Sequence, residues 1–205
     1  MKLGFIGCGN MANAMIAGII GNGICKAEEI IGTAKSEESR VRVNKEFGIY
    51  MTEDNKEAAE KADVIVLSVK PQFYEEVICE IKDVMKDNQI VVTIAPGKTL
   101  AWLEEKFGKP VKLVRTMSNT PAMVQEGMTG VCKNTYVTES EMEHVCDILR
   151  GFGEVEIIPE RLIDAVVTVS GSSPAYVFMM IEAMADAAVA EGMPRNRHIN
   201  LRRKQ

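Results

Sequence analysis

The chain has 205 residues, of which 46% are hydrophobic, and a formal net charge of −5. That length suits one full domain with a core of its own plus a smaller second unit, and the acidic balance argues against nucleic acid or an anionic membrane as a partner. Its cysteines (Cys8, Cys25, Cys79, Cys132, Cys146) are widely spaced and form no C-x-x-C pair, which reads as reduced thiols in a cytoplasmic protein and excludes a disulfide frame or a zinc site.

In chain order, a strand over 2–6 runs straight into Gly7-Cys8-Gly9-Asn10-Met11-Ala12 and an apolar helix over 10–21. No signal peptide is expected before it. The pattern G-x-G-x-x-A, set between strand and helix, is a permitted form of the dinucleotide fingerprint. Gly7 makes the tight turn, Gly9 lets a pyrophosphate approach the backbone, and Ala12 keeps the helix close to the sheet. The helix start offers unpaired N–H groups and the positive end of its dipole.

A second strand over 29–33 leads into Thr33-Ala34-Lys35-Ser36 and a helix over 36–47. An NAD site places a carboxylate at this tip. Hydroxyls and a cation stand here instead, which suits a 2′-phosphate, with Arg40 or Arg42 able to reach back. NADPH is therefore favoured over NADH. The same residues also read as an ordinary helix start with Ser36 as N-cap.

Strands over 63–69, 89–95, 111–115, 128–132 and 154–158 then alternate with helices over 54–61, 71–86, 99–107 and 138–150. Val64 to Val69 is apolar on both faces, as in a parallel sheet covered on each side. The expected fold class is α/β, a doubly wound, mostly parallel sheet over 1–158. Ligands bind beyond the carboxyl ends of such strands, where Lys70-Pro71-Gln72, Ala95-Pro96-Gly97 and Thr116 to Ala122 fall. After Pro159 two helices follow with no strand between, Arg161 to Ser170 and Ala175 to Glu191. The second is apolar nearly all round and expects further chain or a partner subunit against it. The stretch Ala175 to Ala190 contains Glu182 and Asp186 and is too short to span a membrane.

No histidine–carboxylate pair or metal cluster stands out, so no metal is expected and no catalytic residue is assigned. His144 reads as a surface residue of a Glu-rich helix. The neighbours Glu37-Glu38, Glu75-Glu76 and Glu104-Glu105 diverge on solvated helix faces. Met179, Met180 and Met184 suit a core or an interface.

Five stretches carry a family resemblance: F-I-G-C-G-N-M-A at 5–12, S-V-K-P-Q at 68–72, R-T-M-S-N-T-P-A at 115–122, S-G-S-S-P-A-Y-V-F at 170–178 and I-E-A-M-A-D-A-A-V-A-E-G-M-P at 181–194. Together they make the chain resemble pyrroline-5-carboxylate reductases over residues 1 to about 195. The resemblance implies a Rossmann-like cofactor domain over 1–158. Residues 159–205 would then begin an all-helical dimerisation and substrate domain. It implies reduction of 1-pyrroline-5-carboxylate to L-proline with NAD(P)H, in the cytoplasm, by a homodimer or larger homo-oligomer. Carried over residue by residue, Gly9, Asn10 and Met11 face the pyrophosphate. Thr33, Lys35 and Ser36 face the adenosine ribose or its phosphate, with Asn55 beside the adenosine. Val69, Lys70 and Pro71 line the cleft, and Ala95 and Asn119 lie towards the nicotinamide.

Three departures stand out. Ser118 replaces a proline of the family pattern and is expected to loosen its turn. Ser173 replaces a glycine and is a candidate N-cap before Pro174. The last residues, Arg197 to Gln205, are basic and lack the family's helical pattern and its later S-P-G-G-T-T motif. The expectation is that this tail is a frameshifted reading followed by an early stop. Two other functions compete with the reductase: a cofactor-binding remnant without turnover, and a reductase of hydroxy acids, which lacks its expected lysine in a later helix.

Overall fold

The computed structural model describes residues 2–194. The expectation for the tail at 197–205 lies outside the described residues.

Eight strands form one sheet: β1 (Leu3–Ile6), β2 (Ile30–Thr33), β3 (Tyr50–Thr52), β4 (Val64–Leu67), β5 (Ile90–Thr93), β6 (Lys112–Ser118), β7 (Gly127–Lys133) and β8 (Gly153–Ile157). Their order is β3-β2-β1-β4-β5-β6-β7-β8. All pairs are parallel except β6 with β7. The central strands β1, β2, β4 and β5 are buried at every position. That matches their unbroken apolar runs, since a strand covered on both faces needs no polar alternation.

Two layers of helix supply the cover. On one face α1 (Asn10–Gly21) and α6 (Glu139–Arg150) pack Met15, Ile16, Ile19, Val145 and Leu149 onto Phe5, Val66, Val92 and Phe152. On the other, α4 (Tyr74–Ile81) and α5 (Leu100–Phe107) pack Tyr74, Ile78 and Leu103 onto Ile6, Ile65, Leu67, Val91 and Leu113. Each such fully buried side chain contributes about 1.5–3 kcal/mol relative to exposure. The remaining sheet helices, α2 (Glu37–Phe47) and α3 (Asn55–Lys61), are capped by Ser36 and Asp54.

The structure differs from the sequence expectation at three places. Strand β3 falls between two expected helices. It is only three residues long and its Tyr50 is exposed, so it carries no apolar run. The helix expected over 71–86 is a 3-10 turn at Pro71–Phe73 followed by α4, ending at Ile81. After Pro159, the two expected helices form one helical run, Glu160–Ala190. Within it lie α7 (Ile163–Val166), a π-helical turn (Val167–Gly171) and α8 (Ser173–Ala190). Ser173 is the first residue of α8, and its hydroxyl donates back to the Val169 carbonyl. It therefore does not cap the helix. The joined run has 31 residues, and an 18-residue window within it reaches a mean hydropathy of 1.3, long and apolar enough to cross a membrane by length and composition alone. This corrects the expectation that the stretch is too short.

Candidate functional site

The strand order changes direction between β1 and β4, and in an open α/β sheet ligands bind at that switch, beyond the carboxyl ends. The turn there is held from both sides. Gly7 has a φ of +95°, and a side chain on it would meet Val69 Cγ1 at 2.6 Å. Gly7 N–H donates to Thr33 Oγ1 (3.0 Å) at the tip of β2, and Ser68 Oγ, after β4, donates to the Gly7 carbonyl (2.9 Å). Thr33 Oγ1 in turn donates to Asn55 Oδ1 (2.7 Å), and Asn55 Nδ2 donates to Glu80 Oε2 (2.8 Å). This chain of hydrogen bonds fixes the fingerprint turn, the β2 tip and the start of α3 relative to one another.

A cleft of about 280 Å³ opens over this turn. Of the expected site residues, Gly7, Gly9, Thr33, Lys35, Asn55, Val69 and Lys70 line it. Cys8, Ala34, Glu53, Ser68, Phe73, Glu76 and Val77 line it too; none of them was expected as a site residue, and Glu76 was expected on a solvated helix face. Gly9 is the N-cap of α1; no side chain caps that helix end and no acidic residue lies in its first turn. A Cβ built on Gly9 would meet no protein atom within 4 Å. The bare backbone is therefore not required by packing, and the space before it suits an anion on the free N–H groups. A cleft with hydroxyls, an amide, a lysine and an uncapped helix start fits a dinucleotide. Cys8 adds no reactivity, because burial pushes its thiol up to about 12.

The other expected residues, Asn10, Met11, Ser36, Pro71, Ala95 and Asn119, do not line the cleft. Asn10 and Met11 begin α1, and Asn10 borders a separate shallow cavity with Arg42. Ser36 is the N-cap of α2, accepting from Ser39 N–H at 3.3 Å. Pro71 opens the 3-10 turn after Lys70. Of the two arginines, Arg40 reaches back: its Nη1 donates to the carbonyls of Ala34 and Lys35, each at 2.9 Å.

Further along the sheet ends, hydrogen bonds tie β4, β5 and β6 together. The buried Tyr74 hydroxyl donates to the Leu67 carbonyl (2.5 Å) and accepts from Thr93 Oγ1 (3.0 Å). Thr116 Oγ1 donates to the Thr93 carbonyl (3.0 Å). Burial pushes the Tyr74 phenol up to about 12. Ala95 is buried just beyond β5. Asn119 accepts from Met128 N–H (2.9 Å) and donates to Ser170 Oγ (2.9 Å), so it joins the sheet end to the π-helical turn. Ser118 Oγ pairs with Thr129 Oγ1 at 2.8 Å, which ties the turn the missing proline was expected to loosen. A second joint is charged. Buried Arg115 meets Glu160 at 3.0 Å and Asp164 at 3.6 Å, and Glu160 also accepts from Leu100 N–H (2.7 Å) at the start of α5.

Beyond these joints the helical run is little covered. Tyr176, Val177, Phe178, Met179, Met180 and Met184 of α8 are each more than 45% exposed, so apolar side chains stand uncovered all round the helix, as at an association surface. Among the described residues no group of three or more His, Cys, Asp or Glu could hold a metal ion.

Comparisons with known proteins agree with this geometry. Residues 2–97 match the family model "NADP oxidoreductase coenzyme F420-dependent", and residues 160–203 match "Pyrroline-5-carboxylate reductase dimerisation". The chain is 46% identical over 194 residues to the pyrroline-5-carboxylate reductase of Escherichia coli (strain K12), covering 95% of this chain and 72% of the relative. It is 35% identical over 200 residues to that of Arabidopsis thaliana, covering 98% and 72%. Among solved structures, the Coxiella burnetii pyrroline-5-carboxylate reductase superposes with a TM-score of 0.92 at 34% identity, over 99% of this chain and 76% of that one. The Plasmodium falciparum enzyme, solved with NADP bound, superposes with a TM-score of 0.88 at 33% identity, over 98% and 74%.

Proposed function

This chain belongs to the pyrroline-5-carboxylate reductase family, and we propose that it reduces 1-pyrroline-5-carboxylate to L-proline in the cytoplasm. It is an oxidoreductase of proline biosynthesis that takes NADP as its cofactor. The observation that carries this reading is the cleft at the β1–β4 switch, lined by Gly9 at the uncapped start of α1.

When bound, the reduced cofactor supplies the hydride that, with one proton, converts the ring C=N bond to the C–N bond of proline. The protein's part is to bind, orient and keep the site dry, because a protonated imine is already a good hydride acceptor. In this reading Gly7, Gly9, Asn10 and Met11 present backbone to the pyrophosphate. Thr33, Lys35, Ser36 and Asn55 attend the adenosine side. Val69, Lys70 and Pro71 form the cleft wall, and Ala95 and Asn119 stand towards the nicotinamide. Residues 1–158 form the cofactor domain and 159–205 the dimerisation and substrate unit. The exposed face of α8 pairs with a second copy, forming a homodimer or a larger homo-oligomer.

The test is a turnover assay with pyrroline-5-carboxylate and NADPH, run beside calorimetric binding of NADP. Oxidation of NADPH with formation of proline supports the reading. Tight binding of NADP without turnover overturns it in favour of a cofactor-binding remnant.

A further inference from the structure

We propose that Glu53 sets the balance between NADPH and NADH, by competing with the adenosine 2′-phosphate for Arg40. The proposal rests on the cofactor reading above and names a residue that neither the fingerprint nor the β2 tip pointed to.

Strand β3 lies beside β2 with Thr52 opposite Thr33, and Ala34 N–H donates to the Thr52 carbonyl at 3.2 Å. The residues that follow, Ala34 and Lys35 on one side and Glu53 on the other, therefore leave the sheet side by side. Both segments line the cleft. In dinucleotide sites this corner receives the adenosine ribose, whose 2′ position carries either a hydroxyl or a phosphate.

Four cationic or hydroxyl groups could meet a 2′-phosphate here, and three are otherwise engaged. The Thr33 hydroxyl accepts from Gly7 N–H and donates to Asn55 Oδ1. The Lys35 ammonium is engaged across the cleft, 3.4 Å from Glu76 and 5.4 Å above the Phe73 ring. The Ser36 hydroxyl caps α2. Arg40 is different. Its side chain is 20% exposed and fixed by two carbonyls through Nη1, while Nη2 points to Glu53 Oε2 at 3.1 Å. The Glu53 side chain is 74% exposed. The one immobilised guanidinium at the corner thus already holds a carboxylate on its free edge. A 2′-phosphate must displace that carboxylate or sit beside it, like charge against like. A 2′-hydroxyl meets no such penalty, because a carboxylate accepts its hydrogen bond.

The experiment uses the full chain and two probes that differ only at the 2′ position, adenosine 2′,5′-bisphosphate and 5′-AMP, with binding read by calorimetry. KM for NADPH and NADH is read in parallel. The expected result for Glu53→Gln is tighter binding of the bisphosphate by about threefold to tenfold at low salt, from removal of one partly screened charge. The 5′-AMP affinity stays unchanged or falls. At about 1 M salt, where the Debye length is roughly 3 Å, the gain collapses. Arg40→Lys keeps the charge but loses the fork. It weakens the bisphosphate and removes most of the gain from Glu53→Gln, a non-additivity that marks direct coupling. Equal shifts for both probes, or a gain insensitive to salt, would assign Glu53 a structural role and overturn the proposal. A wild-type chain that binds neither probe would instead overturn the cofactor reading on which it rests.

Discussion

Helices α1 and α8 are both mostly apolar, yet they meet opposite fates. In α1, Ala12, Ala14, Met15, Ile16, Gly18 and Ile19 are buried; in α8, which is half as long again, only Ala185 is. The difference does not lie in the helices but in what surrounds them. The sheet offers α1 a seat inside the same chain, formed by Phe5, Val66, Val92 and Phe152. The helical run after Pro159 is pinned at its root, by Ile163, by the Arg115–Glu160 pair with its bond to Leu100, and by the Asn119–Ser170 bond. Apolar content shows that a helix needs cover, and topology decides whether the chain or another molecule supplies it.

The most direct way to break this contrast is to spoil the seat of α1. A Cβ at Gly18 would lie 2.4 Å from the Gly151 carbonyl oxygen and 2.8 Å from Phe152 Cβ. Gly18→Val should cost about 3 kcal/mol or more in urea unfolding. The matched change on the other helix, Ala183→Val, should move stability by no more than about 0.5 kcal/mol. Similar costs at the two positions would mean α8 is seated after all.

The root of the run gives the next largest effect. Glu160→Ala leaves Arg115, whose side chain is 4% exposed, short of its nearest carboxylate. It also frees the Leu100 N–H. Loss of about 3 kcal/mol is expected, near the lower end for a buried pair because Glu160 is itself 32% exposed. Thermal melts should show the drop, and a change below about 1 kcal/mol would make the joint incidental.

Tyr74 tests the rigidity of the sheet ends. Tyr74→Phe removes the bonds to Leu67 and Thr93 and should cost about 1–2 kcal/mol. It should also change the alkaline limb. Tyr74 rises from 10.0 to about 12, and Cys8 from 9.0 to about 12, both through burial. The folded chain keeps protons that the unfolded chain releases. Stability is therefore full below about pH 9 and declines as pH climbs from there towards 12. The variant should lose the part of that decline that begins near pH 10, and an unchanged limb would show that the phenol titrates normally.

The smallest effect on stability, and the sharpest on assembly, is expected from Phe178→Glu. Phe178 is 64% exposed. The substitution should shift the melting midpoint little but move the species seen in sedimentation velocity towards monomer. A wild-type chain that stays monomeric at working concentrations would remove the reason for α8's apolar face.

Much of the fold was legible because its signals are local. Val64 to Leu67 reads as a buried strand from its side chains alone, and Gly7 and Gly9 mark a turn between strand and helix. Strand β3 was not legible, since Tyr50–Thr52 is short, edge-placed and exposed at its first residue. In the site, Thr33 and Asn55 were singled out and lie 2.7 Å apart. Glu53 and Glu76 were not, because their place in the cleft depends on β3 lying beside β2 and on α4 following β4 across the switch. Ser36 shows the converse: its hydroxyl suits a phosphate on paper, while local backbone demand takes it as a cap. The π-helical turn that fuses two expected helices has no sequence mark of its own, since Gly171 and Pro174 read as a break there.

The two fingerprint glycines separate two kinds of constraint that usually coincide. Gly7 is pinned by the fold, through its backbone angle and Val69, whereas none of the described residues would touch a methyl group at Gly9. In a lineage that stopped using a nucleotide, position 9 would be released to drift while position 7 stayed fixed. The residue found at 9 in descendants of this chain is thus a record of whether selection still acts on the ligand.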